Sequence, residues 1–174
     1  MITFIAGGPD TGKSRKAESI ATKDKYKDRY YIATMKVVDE DGIKRKEKHK
    51  KMREGKGFKT FEIPVDVCSV VPHMENPRNS VVLLECVSNL VGNVMYDTGW
   101  RERLKSIDTK LREEFVKYIL DIITELSKKV GHLIVVSSSY DPEETDDEET
   151  ALYKELLTEV NLGLNGFSDK VIWL

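Results

Sequence analysis

Short apolar runs alternate with longer amphipathic stretches along this chain. Four runs predict strands, over Ile2–Ala6, Tyr30–Ala33, Val81–Leu84 and Leu133–Val136, and Val171–Leu174 predicts a further one. The central runs show no polar alternation, which is typical of strands that are covered on both faces of a sheet. The chain is therefore expected to build a sheet with elements packed on both sides.

Helical periodicity fills the intervals between these runs. Helices are predicted over Lys13–Ala21 and over roughly 148–164. A longer amphipathic helix is marked by apolar residues three or four positions apart, at Leu111, Phe115, Ile119, Ile122 and Leu126. Gly131 follows this helix and is predicted to be its C-cap. Strands that alternate with helices indicate an α/β fold with a mainly parallel central sheet.

Length and composition narrow the class of protein. A chain of 174 residues indicates one domain, here 1–174, with a basic helical excursion at about 40–58. A net charge of −2 does not favour a nucleic-acid partner. The two cysteines form neither a disulfide framework nor a zinc pattern, which fits a reducing cytoplasm. No apolar run has the length of a membrane span, and the first run indicates a buried strand rather than a signal peptide.

A phosphate-binding loop is the strongest motif in the sequence. The residues Gly7, Gly8, Pro9, Asp10, Thr11, Gly12, Lys13 and Ser14 match the pattern G-x-x-x-x-G-K-[ST]. The glycines let consecutive backbone N–H groups point at one anion, Lys13 can reach the β- and γ-phosphates, and Ser14 can ligate Mg²⁺. A chance glycine-rich turn is the alternative. The strand before the motif and the helix after it favour a site for ATP or GTP.

An acidic residue is expected to complete this site. Glu85 follows the Val81–Leu84 run, so it would lie at the carboxyl end of a strand, where open α/β sheets bind ligands. We predict that it helps to hold the metal ion or a substrate, and Ser88 and Asn93 could face the same crevice. The alternative is a carboxylate that only favours the start of the next helix.

Two charged segments depart from the strand and helix rhythm. Lys44–Lys59 is basic and contains His49, and composition alone favours a solvated helix there. Asp141–Glu149 is acidic, and Thr145 with Glu148 fits a capping box, so we expect a solvated helix entry that faces away from the triphosphate. A metal site is the alternative for this acidic run.

A family resemblance changes the interpretation of the basic segment. Five features occur in order: the phosphate loop, Tyr31-Ile32-Ala33-Thr34, Arg45-x-x-x-His49-x-x-x-Arg53, Leu84-Glu85-Cys86-Val87-Ser88 with Asn93, and Val160-Asn161. Together they resemble the bifunctional adenosylcobinamide kinase / adenosylcobinamide-phosphate guanylyltransferase family of cobalamin biosynthesis. The resemblance spans nearly the whole chain.

The resemblance implies a RecA-like P-loop NTPase fold, a homotrimer and a two-step activity. A nucleoside triphosphate would phosphorylate adenosylcobinamide, and GTP would then guanylylate His49, from which GMP passes to the cobinamide phosphate. His49, Lys13 and Glu85 would be catalytic, with Mg²⁺ on Ser14 and Glu85. Thr34 and Glu62 would contact nucleotide.

The residue types of the basic segment agree with that chemistry. A neutral imidazole is a competent nucleophile toward an α-phosphate. At helical spacing Arg45, His49 and Arg53 share a face, and the two guanidinium groups could neutralise charge on the phosphoryl oxygens.

The sequence also departs from the family pattern. Lys48 replaces the first histidine of a usual pair, and Ser137-Ser138-Ser139-Tyr140-Asp141 replaces a usual Thr-Asn-Glu-Val-Gly segment. The second departure bears on recognition of the guanine base or the corrinoid, and on the subunit interface. Two other hypotheses are a P-loop small-molecule kinase without the guanylyl step and a nucleotide-binding regulatory protein. Retention of Lys13, Ser14 and Glu85 favours an enzyme.

Overall fold

The computed structural model describes residues 1–104, 108–140 and 147–174. Its strands are β1 (Ile2–Gly7), β2 (Asp28–Ala33), β3 (Phe58–Glu62), β4 (Ser80–Glu85), β5 (His132–Ser138) and β6 (Lys170–Trp173). Its α-helices are α1 (Lys13–Thr22), α2 (Glu40–Arg53), α3 (Val87–Asp97), α4 (Trp100–Leu104), α5 (Thr109–Lys129) and α6 (Glu148–Phe167). Two 3₁₀ helices, Val67–His73 and Pro77–Asn79, lie between β3 and β4.

The described strands form one six-stranded sheet in the order β3-β2-β4-β5-β1-β6, and every pairing is parallel. Every residue of β1 and β4 is buried, as the continuous apolar runs predicted. The α/β fold class with a parallel sheet is confirmed. Because all strands point the same way, their carboxyl ends meet at one edge of the sheet.

Helices cover both faces of the sheet. Ala17 and Ala21 of α1 pack with Ile5, Leu83 and Ile134 on one face. On the other face a larger core joins α3, α5 and α6 to the sheet, with Phe4, Leu84, Leu90, Phe115 and Leu157 among its buried members. Tight packing of this kind fixes the strand ends in place.

Strand β3 was not predicted from the sequence. It pairs with β2 at the edge of the sheet, with Arg29 opposite Phe58 and Ala33 opposite Glu62. Its residues are half-buried or exposed, and Lys59 and Thr60 are polar. An edge strand of this composition carries no apolar run, so its existence depends on pairing with β2. The basic excursion is accordingly the helix α2 followed by a turn into β3.

The C-cap predicted at Gly131 is wrong. Helix α5 ends at Lys129, and its C-cap is Val130 with an extended backbone. Gly131 does not adopt a left-handed conformation; a Cβ there would lie 2.6 Å from Tyr26 Cε2 and 2.7 Å from the Arg78 carbonyl oxygen. The glycine is needed because the Tyr26 ring and the Arg78 backbone pack directly against it, which the sequence around it does not reveal.

The entry to α6 differs from the predicted capping box. Helix α6 begins at Glu148, and its N-cap is Asp147, whose carboxylate accepts a hydrogen bond of 3.1 Å from the Thr150 backbone N–H. Asp147 therefore takes the capping role that was assigned to Thr145. Thr145 and most of the acidic run, 141–146, lie outside the described residues.

Candidate active site

The phosphate loop connects the end of β1 to the start of α1. Asp10 and Gly12 have positive φ angles of 54° and 88°, which bend the loop back on itself. Gly12 is the N-cap of α1 and supplies no side-chain cap. The first N–H groups of α1 are therefore available to an anion, and the helix adds its positive end.

The loop and the basic helix α2 line one cavity of about 350 Å³. Its lining includes Asp10, Thr11, Lys13 and Ser14 of the loop region, Arg45, Lys48 and His49 of α2, and Glu85 at the end of β4. We call this cavity the phosphate pocket. The predicted loop residues, the predicted nucleophile and the predicted acidic residue therefore share one cavity, although 36 positions separate Lys13 from His49 in sequence.

Glu85 lies at the carboxyl end of β4 and is only 8% exposed. The Ser14 hydroxyl donates a hydrogen bond to Glu85 Oε1, and the buried Oε2 has no hydrogen-bond partner among the described residues. A hydroxyl beside a carboxylate with a free oxygen fits Mg²⁺, which prefers hard oxygen ligands. The described residues contain no cluster of three metal-ligating side chains, so phosphate and water would supply the other ligands.

His49 projects from α2 toward the same carboxylate. Its Nδ1 lies 3.6 Å from Glu85 Oε1, and this nitrogen is buried without a hydrogen-bond partner among the described residues. The side chain is 29% exposed. Glu85 therefore stands between the residue that would hold the metal ion and the residue that would attack the nucleotide.

Lys13 reaches back into its own loop. Its Nζ donates a hydrogen bond to the Gly8 carbonyl oxygen. Burial lowers the pKa of Lys13 below its usual 10.5, although the nearby Cys86, Glu85 and Asp10 act in the opposite direction. The ammonium group is thus poorly hydrated, which strengthens its interaction with a phosphate.

Arg53 lies against Tyr31 of β2. Its guanidinium carbon is 3.6 Å from the centre of the Tyr31 ring, and its buried Nη1 has no hydrogen-bond partner in the described part of the chain. Burial and the Glu85 carboxylate raise the pKa of Tyr31 above its usual range, so its hydroxyl stays neutral. The ring orients Arg53 while leaving a donor unused.

Arg53, Tyr31 and Glu62 line a smaller cavity of about 90 Å³ that also contacts His49 and Glu85. Glu62 ends β3 and forms an ion pair of 2.6 Å with Lys46 of α2. Glu62 is therefore placed beside the phosphate pocket rather than in it. Its predicted contact with a nucleotide would have to be made from this smaller cavity.

Thr34 and Asn93 are occupied by backbone contacts. The Thr34 hydroxyl donates to the Cys86 carbonyl at 2.7 Å and accepts from the Cys86 N–H at 2.8 Å. Asn93 Nδ2 donates to the carbonyl oxygens of Thr34 and Pro64. Neither residue lines the phosphate pocket. The structure gives both a role in fixing the segment after β4, and the predicted nucleotide contact of Thr34 stays a prediction.

Asn89 and Tyr31 are site residues whose roles the sequence did not reveal. Asn89, in the first turn of α3, lines the phosphate pocket and the smaller cavity beside it. The position of Asn89 four residues after Glu85 was the available signal, since the first turn of a helix after a strand faces the ligand edge.

No described helix has the length and apolar character needed to cross a membrane.

Comparisons with known proteins identify the family of this chain. The family model described as cobinamide kinase / cobinamide phosphate guanyltransferase matches residues 3–174. The bifunctional adenosylcobalamin biosynthesis protein CobU of Escherichia coli (strain K12) is 34% identical over 99 residues. That match covers 57% of this chain and 52% of the relative, so it spans about half of the relative's length.

A solved structure supports the fold alone. It is described as an ATPase domain and has a TM-score of 0.51 at 11% identity, with 99% of this chain and 68% of that chain covered. The resemblance in fold agrees with the α/β architecture of this chain.

Proposed function

This chain belongs to the cobinamide kinase / cobinamide phosphate guanyltransferase family, and we propose that it carries out both reactions of that name. In the first, a nucleoside triphosphate phosphorylates the hydroxyl of adenosylcobinamide. In the second, GMP passes from GTP through His49 to the phosphorylated product, which forms adenosylcobinamide-GDP. The observation that supports this proposal is that Lys13, Glu85 and His49 line one pocket.

The kinase step uses the loop and the end of β4. The loop N–H groups and Lys13 bind the β- and γ-phosphates, and the acceptor hydroxyl attacks the γ-phosphorus as the bond to the β-phosphate oxygen breaks. Ser14 and Glu85 would hold Mg²⁺, which when bound neutralises charge on the phosphate oxygens. The nucleotide for this step is ATP or GTP.

The guanylyl step uses the same pocket from the side of α2. With its proton on Nδ1, which lies 3.6 Å from Glu85 Oε1, His49 would attack the α-phosphorus of GTP through the lone pair on Nε2. The P–N bond forms and pyrophosphate leaves. The phosphate oxygen of cobinamide phosphate then attacks the same phosphorus, and His49 is released. Arg45 and Arg53 supply positive charge to the phosphoryl oxygens during both transfers.

The family membership also motivates two proposals about the assembly and its location. We propose that the protein is a homotrimer and that it acts in the cytoplasm. Light scattering at several protein concentrations tests the trimer.

Labelling tests the second reaction directly. The protein is incubated with Mg²⁺ and GTP labelled at the α-phosphate, and a covalent label that is acid-labile and alkali-stable is expected. His49→Ala should abolish the label, while His73→Ala, which changes an exposed histidine elsewhere, should retain it. Phosphorylation of cobinamide without any label would leave a kinase alone. Nucleotide binding with neither activity would favour a regulatory protein.

A further inference from the structure

A further cavity, shaped as a groove, lies beside the phosphate pocket. It has a volume of about 430 Å³, and Lys36, Gly92, Tyr96, Asp97 and Tyr153 contribute to its lining. Ser88 and Asn89, in the first turn of α3, line both this groove and the phosphate pocket. We call it the α3 groove. The two cavities therefore share a wall at the point where α3 begins.

An acceptor substrate must approach the nucleotide from a neighbouring cavity. The reacting hydroxyl has to lie in line with the γ-phosphate, which the loop holds at the end of β1. The cavity beside Arg53 has only about 90 Å³ and shares His49 and Glu85 with the nucleotide. Another depression is lined entirely by residues of α2, such as Ile43, Lys44 and Glu47. Among the described cavities, the α3 groove is the one that both adjoins the phosphate pocket and has room for part of a large acceptor.

The chemistry of the groove suits an amide-rich ligand with apolar faces. Tyr96 is 49% exposed and offers a ring face, and Tyr153 fixes its own hydroxyl by donating to the Ser88 carbonyl at 3.0 Å. The Lys36–Asp97 ion pair and Glu149, which accepts hydrogen bonds from Tyr96 and Arg101, also line the groove, and the remaining N–H groups and lone pairs of these side chains can pair with a polar ligand. Carboxamides pair with such groups, and aromatic rings cover apolar surface.

Asn89 lies in the wall that the phosphate pocket and the α3 groove share. Its carboxamide makes no hydrogen bond to another side chain in the described part of the chain, and it lines both cavities. A half-buried amide of this kind can bind a substrate amide or hydroxyl on either side.

Gly92 lines the α3 groove and has no side chain that would fill it. It lies in the interior of α3, where glycine costs about 1 kcal/mol relative to alanine. A Cβ there would lie 3.7 Å from Tyr153 Cε2, an ordinary contact, so the helix backbone does not require glycine. A larger side chain would extend into the groove.

We propose that the α3 groove binds the carboxamide-bearing arm of the corrinoid acceptor, with Asn89 directing its hydroxyl into the phosphate pocket. This inference rests on the proposed function, since it assigns the second substrate of the same reaction. It names Asn89, Gly92 and Tyr96 as residues that determine acceptor binding.

The experiment fills the groove without touching the nucleotide. Gly92→Phe should raise the KM for cobinamide by about tenfold or more, and should weaken cobinamide binding in equilibrium dialysis without nucleotide. The GTP label on His49 should be unchanged. Gly166→Phe is the matched control, because Gly166 is also helical but exposed, with no atom within 4 Å of its added Cβ.

A second variant covers the case in which Gly92→Phe does not fold. Tyr96→Ala removes an exposed ring and should weaken cobinamide binding several-fold while the label persists. Wild-type binding of cobinamide by both variants, with native circular dichroism, would overturn the groove assignment and leave the proposed function standing. A wild-type protein that neither binds nor phosphorylates cobinamide would instead refute the proposed function.

Discussion

The phosphate loop and the helix α2 line the same pocket, yet different kinds of contact attach them to the rest of the structure. The loop is anchored to β1, and Glu85 to β4, strands that are buried along their whole length. Of the residues of α2, only Gly42 is buried. Its ion pairs of Lys46 with Glu62 and Lys48 with Asp10 are exposed, whereas His49 and Arg53 contact the buried Glu85 and Tyr31.

The two kinds of attachment match two different requirements of the proposed chemistry. Phosphate binding needs donors fixed by packing, because their value depends on being oriented before the nucleotide arrives. In the proposed reaction the nucleophile would have to approach and leave, because GMP would pass from His49 to a second substrate. The exposed ion pairs of α2 suit that role, since each contributes little on its own.

Loss of the lysine in the loop should have the largest effect. Lys13→Ala removes the only lysine that lies within the loop motif, and the rate of cobinamide phosphorylation should fall about 10²- to 10³-fold. Lys16→Ala, an exposed residue of the same helix, is the control and should keep wild-type rates. Steady-state kinetics and calorimetry with magnesium nucleotides measure both. Equal rates for the two variants would refute the role of the loop.

The contact between Asp24 and His132, the first residue of β5, tests how firmly the sheet is held. Asp24 contacts His132 Nδ1, while His132 Nε2 lies 2.9 Å from Thr3 Oγ1. Asp24→Asn should lower the free energy of unfolding by about 1–3 kcal/mol at pH 7, because a buried charged hydrogen bond is lost. The GTP label on folded protein should persist. Asp121→Asn, in an exposed pair with Lys117, should change stability little.

The same carboxylate gives a pH dependence with a definite sign. Burial alone would raise the pKa of Asp24, but hydrogen bonds from His132 and the Tyr26 N–H hold it below its usual 3.8. The stabilisation is therefore complete above pH 3.8 and is lost as the pH falls through the lower value of the folded state. Denaturant titrations should show that Asp24→Asn flattens this acid-side loss. A wild-type slope in the variant would contradict the assignment.

Replacement of the stacked guanidinium should have a moderate effect. Arg53→Lys keeps the charge but loses the planar contact with Tyr31, which is worth about 0.5–2 kcal/mol. The rate of His49 labelling should fall about two- to thirtyfold, while nucleotide affinity at the loop changes less. Arg78→Lys changes an exposed arginine outside the pocket and serves as the control. A loss of nucleotide affinity equal to the loss of labelling would place Arg53 with the loop instead.

The smallest effect is expected from a single tether of α2. Lys46→Ala removes the ion pair with Glu62, whose side chains are 44% and 60% exposed. Exposed pairs contribute about 0.2–1 kcal/mol, so labelling should fall less than about fivefold. The wild-type label should also weaken with added salt, which screens these contacts. A label that is insensitive to both changes would show that α2 is not held by its charges.

The elements that could be predicted from the sequence are those with strong local signals. The buried runs Val81–Leu84 and Leu133–Val136 predicted β4 and β5, and the glycine spacing predicted the loop between β1 and α1, because apolar periodicity and glycine spacing are local properties. The polar edge strand β3 and the packing role of Gly131 lacked such signals. Both depend on a partner that is distant along the chain: β2 for the strand, and Tyr26 and Arg78 for the glycine.

The sequence by itself determined the α/β alternation, the phosphate loop and the presence of a histidine between two arginines at helical spacing. Tertiary structure alone decided that His49 and Ser14 meet at one carboxylate, that Thr34 is occupied by Cys86, and that Asn89 joins two cavities. The reason is that parallel strands bring their carboxyl ends to one edge whatever their order in sequence. Which side chains meet there is set by strand order and helix packing, and no local pattern encodes either.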